Sequence, residues 1–109
     1  MVKQGDIIKL DFNPQAGHEQ SGYRPAVVLS NNFFNQKTNL TIVCPITNTN
    51  NKFPLHIPLD ERTQTTGVIL CEHIKALDLT SRQYKIIETL PKDLLELAVN
   101  IVFSEIEIL

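Results

Sequence analysis

The chain has 109 residues, 42% of them apolar, and a formal net charge of −2, which suits a single domain over residues 1–109 that can bury a core. A slightly acidic balance excludes a protein that grips long nucleic acid through a broad basic surface, although a local groove can still hold a short single strand. No apolar run is long enough to span a bilayer and the opening Met1–Asp6 lacks the apolar core of a secretory signal, so a cytoplasmic protein with no membrane partner is expected.

From Asp6 to Phe12 the sequence alternates, with Ile8, Leu10 and Phe12 on one side and Ile7, Lys9 and Asp11 on the other, the period of a half-buried strand. The following stretch, Asn13 to Pro25, concentrates two glycines, two prolines, His18, Glu19 and Arg24 between apolar segments. Gly17 and Gly22 let the backbone of such a loop approach a ligand closely. Pro25 biases Arg24 toward an extended backbone, so the guanidinium is offered from a defined position. Pro25–Ser30 is continuously apolar, as in a strand covered on both faces.

Residues 31–39 are polar and turn-rich and read as a loop, which Phe33 and Phe34 are expected to pin to the core. Leu40–Thr47 reads as a strand whose Pro45 implies an edge or a bulge. After a polar turn, Leu55–Leu59 alternates like an exposed strand, with His56 facing solvent. A charged loop leads through Gly67 into one long strand over residues 68–77, which Asp78 ends. Tyr84–Leu90 reads as a last strand, and Pro91 favours a helix start with Asp93 near its positive end. The stripe Leu94, Leu95, Ala98, Ile101, Val102 and Ile106 within Leu94–Leu109 predicts a helix packed on the core. Several short strands closed by one helix suggest a small β-barrel.

Cys44 and Cys71 sit inside apolar runs and are expected to be buried free thiols without a disulfide or redox role. Asp60, Glu61, Glu105 and Glu107 read as a solvated surface. Cys71, Glu72 and His73 alternate along a predicted strand, which offers at most two ligands on one face, short of a zinc site. No P-loop or Rossmann glycine pattern occurs, so no nucleotide cofactor is implied. Arg24 suits a phosphate, because its planar fork matches phosphate oxygens and stays charged; an arginine bonded to Glu19 is the equal alternative. Thr47 on its own reads as a turn hydroxyl bonded to nearby backbone.

Gly5-Asp6, Asn13-Pro14 and Gly17-His18-Glu19-Gln20-Ser21-Gly22-Tyr23-Arg24-Pro25, continued by Pro45-Ile46-Thr47 and Thr66-Gly67-Val68, resemble the signature of the MazF/PemK toxins over nearly the whole chain. The resemblance implies an SH3-like barrel with a C-terminal helix, forming a homodimer. It also implies an mRNA interferase of a type II toxin–antitoxin system: a sequence-specific, ribosome-independent and metal-independent endoribonuclease. Such an enzyme attacks through the 2′-hydroxyl of single-stranded RNA and leaves 2′,3′-cyclic phosphate and 5′-hydroxyl ends. Arg24 and Thr47 match the catalytic arginine and threonine, while Glu19 and His18 are the candidates for proton transfer, His18 otherwise helping to read a base. Asn13, Gln20, Ser21, Asn48 and Glu72 are the implied substrate contacts; Glu72 stands where some relatives carry an acid–base aspartate, but Leu70 replaces the arginine they carry before it. No cofactor is implied, and the implied protein partner is an antitoxin with a flexible acidic C-terminal segment. A gyrase-poisoning toxin of the CcdB type or a non-catalytic RNA-binding barrel are the alternatives, the former disfavoured by Arg24 and by a terminal helix without tryptophan.

Overall fold

A computed structural model of the protein describes residues 1–13, 22–49 and 53–109. Among them, seven antiparallel strands and two helices follow in the order β1 (Asp6–Asp11), β2 (Tyr23–Val28), α1 (Asn32–Thr38), β3 (Thr41–Thr47), β4 (His56–Pro58), β5 (Val68–Leu70), β6 (Lys75–Leu77), β7 (Tyr84–Thr89) and α2 (Lys92–Ile106). The sheet runs β4-β5-β3-β2-β1-β7, with β6 also pairing with β3. The architecture is the expected one, mainly antiparallel β with a C-terminal helix.

The central strands feed two cores. Ile7, Val27, Cys44 and Ile46 pack on one face with Leu90 and Ala98, under the partly buried Leu94, Leu95, Ile101 and Val102 of α2. Ile8, Leu10, Ala26, Val28 and Val43 fill the other face with Val2, Phe12 and Leu79. Both faces being covered there, β2 is apolar and buried from Ala26 to Val28, and Ile7 is buried where simple alternation would expose it. Lys9 is the β1 residue left fully outside.

Several expectations are corrected. Residues 31–39 carry a helix, not a loop: the Asn31 side chain accepts from the Phe34 N–H and Asn39 ends the helix in the left-handed region at φ 58°, so the asparagines are caps rather than turn formers. Phe33 is 71% exposed instead of pinned, with the Lys37 ammonium 5.8 Å from its ring centre. The predicted long strand over 68–77 is broken by a 3-10 turn at Cys71–His73, because β3 pairs with β5 at one end and β6 at the other and the chain must turn a corner between them. Helix α2 ends at Ile106, which is 75% exposed and lies outside the core.

Pro45 stands in a central strand rather than at an edge, fully buried and opposite Ala26 of β2. The Leu29 N–H donates to Ile42 O, so Ile42 turns its backbone groups to β2. Alternate residues reverse that direction, and Pro45 therefore faces the other edge, in the interval where β3 exchanges β6, paired through Val43, for β5, paired from Ile46. The missing N–H falls where no ladder partner calls for it.

Candidate active site

The register of β2 and β3 sets the centre of the site. Ala26 pairs with Pro45, and two residues further along each strand, on the face those two share, stand Arg24 and Thr47. Arg24 is half-buried opposite Leu10 of β1. Thr47 is 8% exposed, pairs with Val68, and its hydroxyl accepts from the Thr49 N–H at 3.2 Å. That bond uses a lone pair and leaves the hydroxyl proton available for donation.

Gly67 fixes Thr47 from the other side. Its φ is +118°, and a Cβ built there would lie 2.4 Å from Thr47 O and 2.8 Å from Thr47 C. Only a residue without a side chain permits this approach. Asn48 follows, with its amide oxygen accepting from the Thr66 hydroxyl at 3.0 Å.

The root of the preceding loop is tied down by long-range bonds. The Asn13 side-chain oxygen accepts from the Gly22 N–H at 3.1 Å and its own N–H donates to Asp11 Oδ1. One Arg82 nitrogen donates to the carbonyls of Asp11 and Asn13 at 3.0 and 2.9 Å. His18, Glu19, Gln20 and Ser21 lie outside the described residues.

A loop over residues 60–66 stands beside these strand ends and is held at several points. Arg62 bridges Asp60 and Asp93 at 2.8 Å each. The Glu88 carboxylate accepts from the N–H groups of Gln64 and Thr65 and from the Thr65 hydroxyl. Burial alone would raise the Glu88 carboxyl, yet these bonds outweigh it and hold it below its ordinary value. Arg62 likewise holds Asp60 and Asp93 low. Between this loop and the outer face of the sheet lies a groove of about 280 Å³, bordered by Lys9, Pro25, Asn48, Gln64, Thr65, Thr66 and Ile87.

Glu72 is engaged elsewhere. Its Oε2 lies 2.7 Å from His56 Nε2 and 3.9 Å from His73 Nε2. The expectation of a solvent-facing His56 is thus corrected: its side chain is 6% exposed, against Phe53 with ring centres 5.4 Å apart. Its Nδ1 is buried with no hydrogen-bond partner among the described residues. Burial, followed by the Glu72 charge, raises the Glu105 carboxyl. Cys71 turns into the core beside Cys44, and both are free thiols; the hydrogen bond with Cys71 and burial push the Cys44 thiol far up. The 3-10 corner therefore sends Cys71 and Glu72 to different surroundings.

A family model described as "PemK-like, MazF-like toxin of type II toxin-antitoxin system" matches residues 3–102. The chain belongs to this family. It is 37% identical over 78 residues to the endoribonuclease toxin MazF of Escherichia coli strain K12, covering 72% of this chain and 69% of the relative. It is 32% identical over 98 residues to the Escherichia coli endoribonuclease PemK, covering 86% and 74%. The crystal structure of MazF from Deinococcus radiodurans superposes with a TM-score of 0.89 at 36% identity over 95% of this chain and 94% of that one. A MazE-MazF structure from the same organism gives 0.82 at 36% identity over the same shares. The PemK-like, MazF-like fold accounts for the bent sheet with its helix on one face.

Sequence reading missed Gly67 as the element holding Thr47, along with Arg82, Glu88 and the His56–Glu72 pair. Glycine between Thr66 and Val68 was a usable signal, because a strand that begins on glycine often marks a close backbone approach. The others join residues distant in sequence and leave no local trace.

Proposed function

We propose that this chain is the endoribonuclease toxin of a type II toxin–antitoxin pair, cutting single-stranded mRNA at specific sequences by 2′-hydroxyl attack without metal. The carrying observation is the β2–β3 register, which places Arg24 and Thr47 at adjoining strand ends on one face. Arg24 offsets the charge that develops on the phosphorane, and the Thr47 hydroxyl, already accepting from Thr49, donates its proton to a phosphate oxygen. Glu19, with His18, takes the 2′-hydroxyl proton and returns one to the departing 5′-oxygen. Asn13 and Asn48 have their amide oxygens occupied, so their NH₂ groups are the ends that meet the RNA, alongside Gln20 and Ser21. Glu72 enters this reading as the partner of His56.

The partner is an antitoxin, as the MazE-MazF structures of relatives suggest, whose flexible acidic C-terminal segment lies across the same cations. The toxin itself acts as a homodimer. Val99, Phe103 and Ile106 leave one face of α2 apolar and 38%, 65% and 75% exposed, a surface that a second copy would cover. No helix among the described residues is long and apolar enough to cross a membrane, and action on mRNA places the protein in the cytoplasm.

The test is to incubate purified protein with a long RNA in EDTA and to map the new ends. Cuts sharing a short motif, with 5′-hydroxyl and 2′,3′-cyclic phosphate termini and abolished by 2′-deoxy substitution at the cut, are expected. RNA retained but uncut would reduce the protein to a binding barrel. Gyrase-dependent DNA damage with intact RNA would favour the CcdB-type alternative, and metal-dependent cuts with 5′-phosphate ends would refute the mechanism.

A further inference from the structure

The groove between β1, β2 and the 60–66 loop has features that the reaction at Arg24 and Thr47 does not use. Lys9 on β1 stands directly opposite Lys85 on β7, and opposite Pro25 on its other side. Like charges at directly opposite positions repel and cost stability. Both lysines are exposed, and among the described residues neither forms an ion pair. The carboxylates on the same two strands are already occupied: Asp11 of β1 accepts from the Asn13 N–H, and Glu88 of β7 accepts from Gln64 and Thr65. A chain with a net charge of −2 thus sets two lysines side by side with no ion-pair partner among the described residues, Lys9 bordering the groove and Lys85 standing opposite it on β7.

The rest of the groove is suited to a nucleotide. Pro25 and Ile87 supply an apolar floor, while Asn48, Gln64 and Thr66 supply hydrogen-bonding edges. The wall that carries them is fixed in advance by Glu88, by Arg62, and by the Thr63 hydroxyl donating to Thr65 O at 2.7 Å. Among the described residues the Gln64 side-chain amide makes no hydrogen bond, so its donor and acceptor are both unspent. Asn48 joins the groove to Thr47 by one peptide bond.

We infer that this groove is a nucleotide subsite of the substrate RNA, with Lys9 and Lys85 sharing a backbone phosphate and the Gln64 amide reading the edge of a base laid on Pro25 and Ile87. The inference rests on the RNA-cutting function proposed above and adds the residues that hold one nucleotide beside the cut. A single strand with splayed bases is the ligand this geometry fits, because a bond to phosphate positions the strand and an amide can distinguish base edges.

The test uses the full chain and the variants Lys9→Gln, Lys85→Gln, their double, and Gln64→Ala. Binding is read with a short RNA that carries a 2′-deoxy sugar at the cut, and cleavage with its all-ribose counterpart. The double lysine variant should bind about fivefold or more weakly at moderate salt, with KM rising in parallel. Its slope of log affinity against log salt should flatten by roughly 0.7 for each phosphate that is no longer neutralised. Gln64→Ala should relax the preference at one nucleotide near the cut while leaving the others. Thermal midpoints report on folding: removing opposed like charges should leave them unchanged or higher, so weaker binding cannot be assigned to unfolding. Unchanged affinity, salt slope and preference in a parent-like fold would overturn the inference while leaving the cleavage function intact. Lysine variants that bind RNA normally but lose affinity for an acidic antitoxin peptide would also overturn it, assigning the groove to the peptide. A parent that neither binds nor cuts RNA would overturn both.

Discussion

Replacing Gly67 with alanine tests whether the hold on Thr47 is what organises the site. The new Cβ would meet Thr47 O at 2.4 Å, Thr47 C at 2.8 Å and Asn48 N at 3.2 Å, at a φ of +118°. The backbone conformation alone costs an L-residue roughly 1–3 kcal/mol, and forcing two stretches of backbone apart adds roughly 1–3 kcal/mol more. Gly22 provides the control. It also has a positive φ, +82°, but a Cβ there meets nothing within 4 Å, so Gly22→Ala carries the conformational cost without the collision. In a domain of this size about 1 kcal/mol corresponds to a Tm shift of roughly 4–8 °C. Gly67→Ala should therefore melt at least several degrees below Gly22→Ala. The readout of position is the single-turnover cleavage rate, measured well below both midpoints and corrected for folded fraction. Gly67→Ala should fall below Gly22→Ala by a factor of ten or more, roughly the cost of misplacing a reacting group. Equal midpoints and equal rates for the two variants would refute the idea that Gly67 places Thr47.

The remaining expectations concern charge and assembly. Arg24→Ala should lower the cleavage rate roughly 10²–10³-fold, in line with the loss of one donor to a developing oxyanion, and Thr47→Ala should cost less; an Arg24→Ala protein as active as the parent would remove the arginine from the mechanism. Glu88, Asp60 and Asp93 are all held below their ordinary values, so their stabilisation is present above the unfolded carboxyl range and is lost as pH falls through the lowered folded values. Urea midpoints should accordingly drop on acidification, and Glu88→Gln should flatten that drop, whereas an unchanged acid slope would show that the 60–66 loop is not held by Glu88. Sedimentation of the parent should give twice the chain mass, and Phe103→Asp on the exposed face of α2 should shift it toward the monomer; a monomeric parent at micromolar concentration would sink the dimer.

Legibility from sequence depended on whether the physical signal was local. β1, β2, β7 and α2 were readable because each pattern has a period, or a continuous apolar run, set by the faces it buries. Helix α1 was not, because Asn31, Asn32, Asn35 and Asn39 look like turn residues in composition, whereas Asn31 and Asn39 cap the two ends and Asn35 is buried against Ser30. The corner at Cys71–His73 was hidden because both of its arms are apolar and β-forming. In the site, Arg24 drew notice through its glycine and proline neighbours, while Thr47 stood out only by resemblance, since a threonine at a strand end has an ordinary use. His56 and Glu72 are 16 residues apart, and no spacing rule connects them once the intervening strand breaks.

The position of Thr47 follows from the way β3 changes partners. A strand that serves β6 at its first half and β5 at its second must cross an interval with no ladder on that edge, and Pro45 occupies it without leaving a donor unsatisfied. Beyond the interval Thr47 again turns its backbone carbonyl toward β5, where a side chain at the start of that strand would collide with it. Gly67 removes the collision, the Leu59 N–H takes the Gly67 carbonyl at 2.9 Å, and the ladder resumes from Val68. The hydroxyl of Thr47 is thereby anchored from its own backbone and from Thr49, on the face it shares with Arg24. The same close approach brings the Thr66 hydroxyl to Asn48, and both residues border the groove beside the 60–66 loop. Proline, threonine and glycine at these three positions thus form a single geometric solution, and a change at either flanking residue should be felt at the threonine between them.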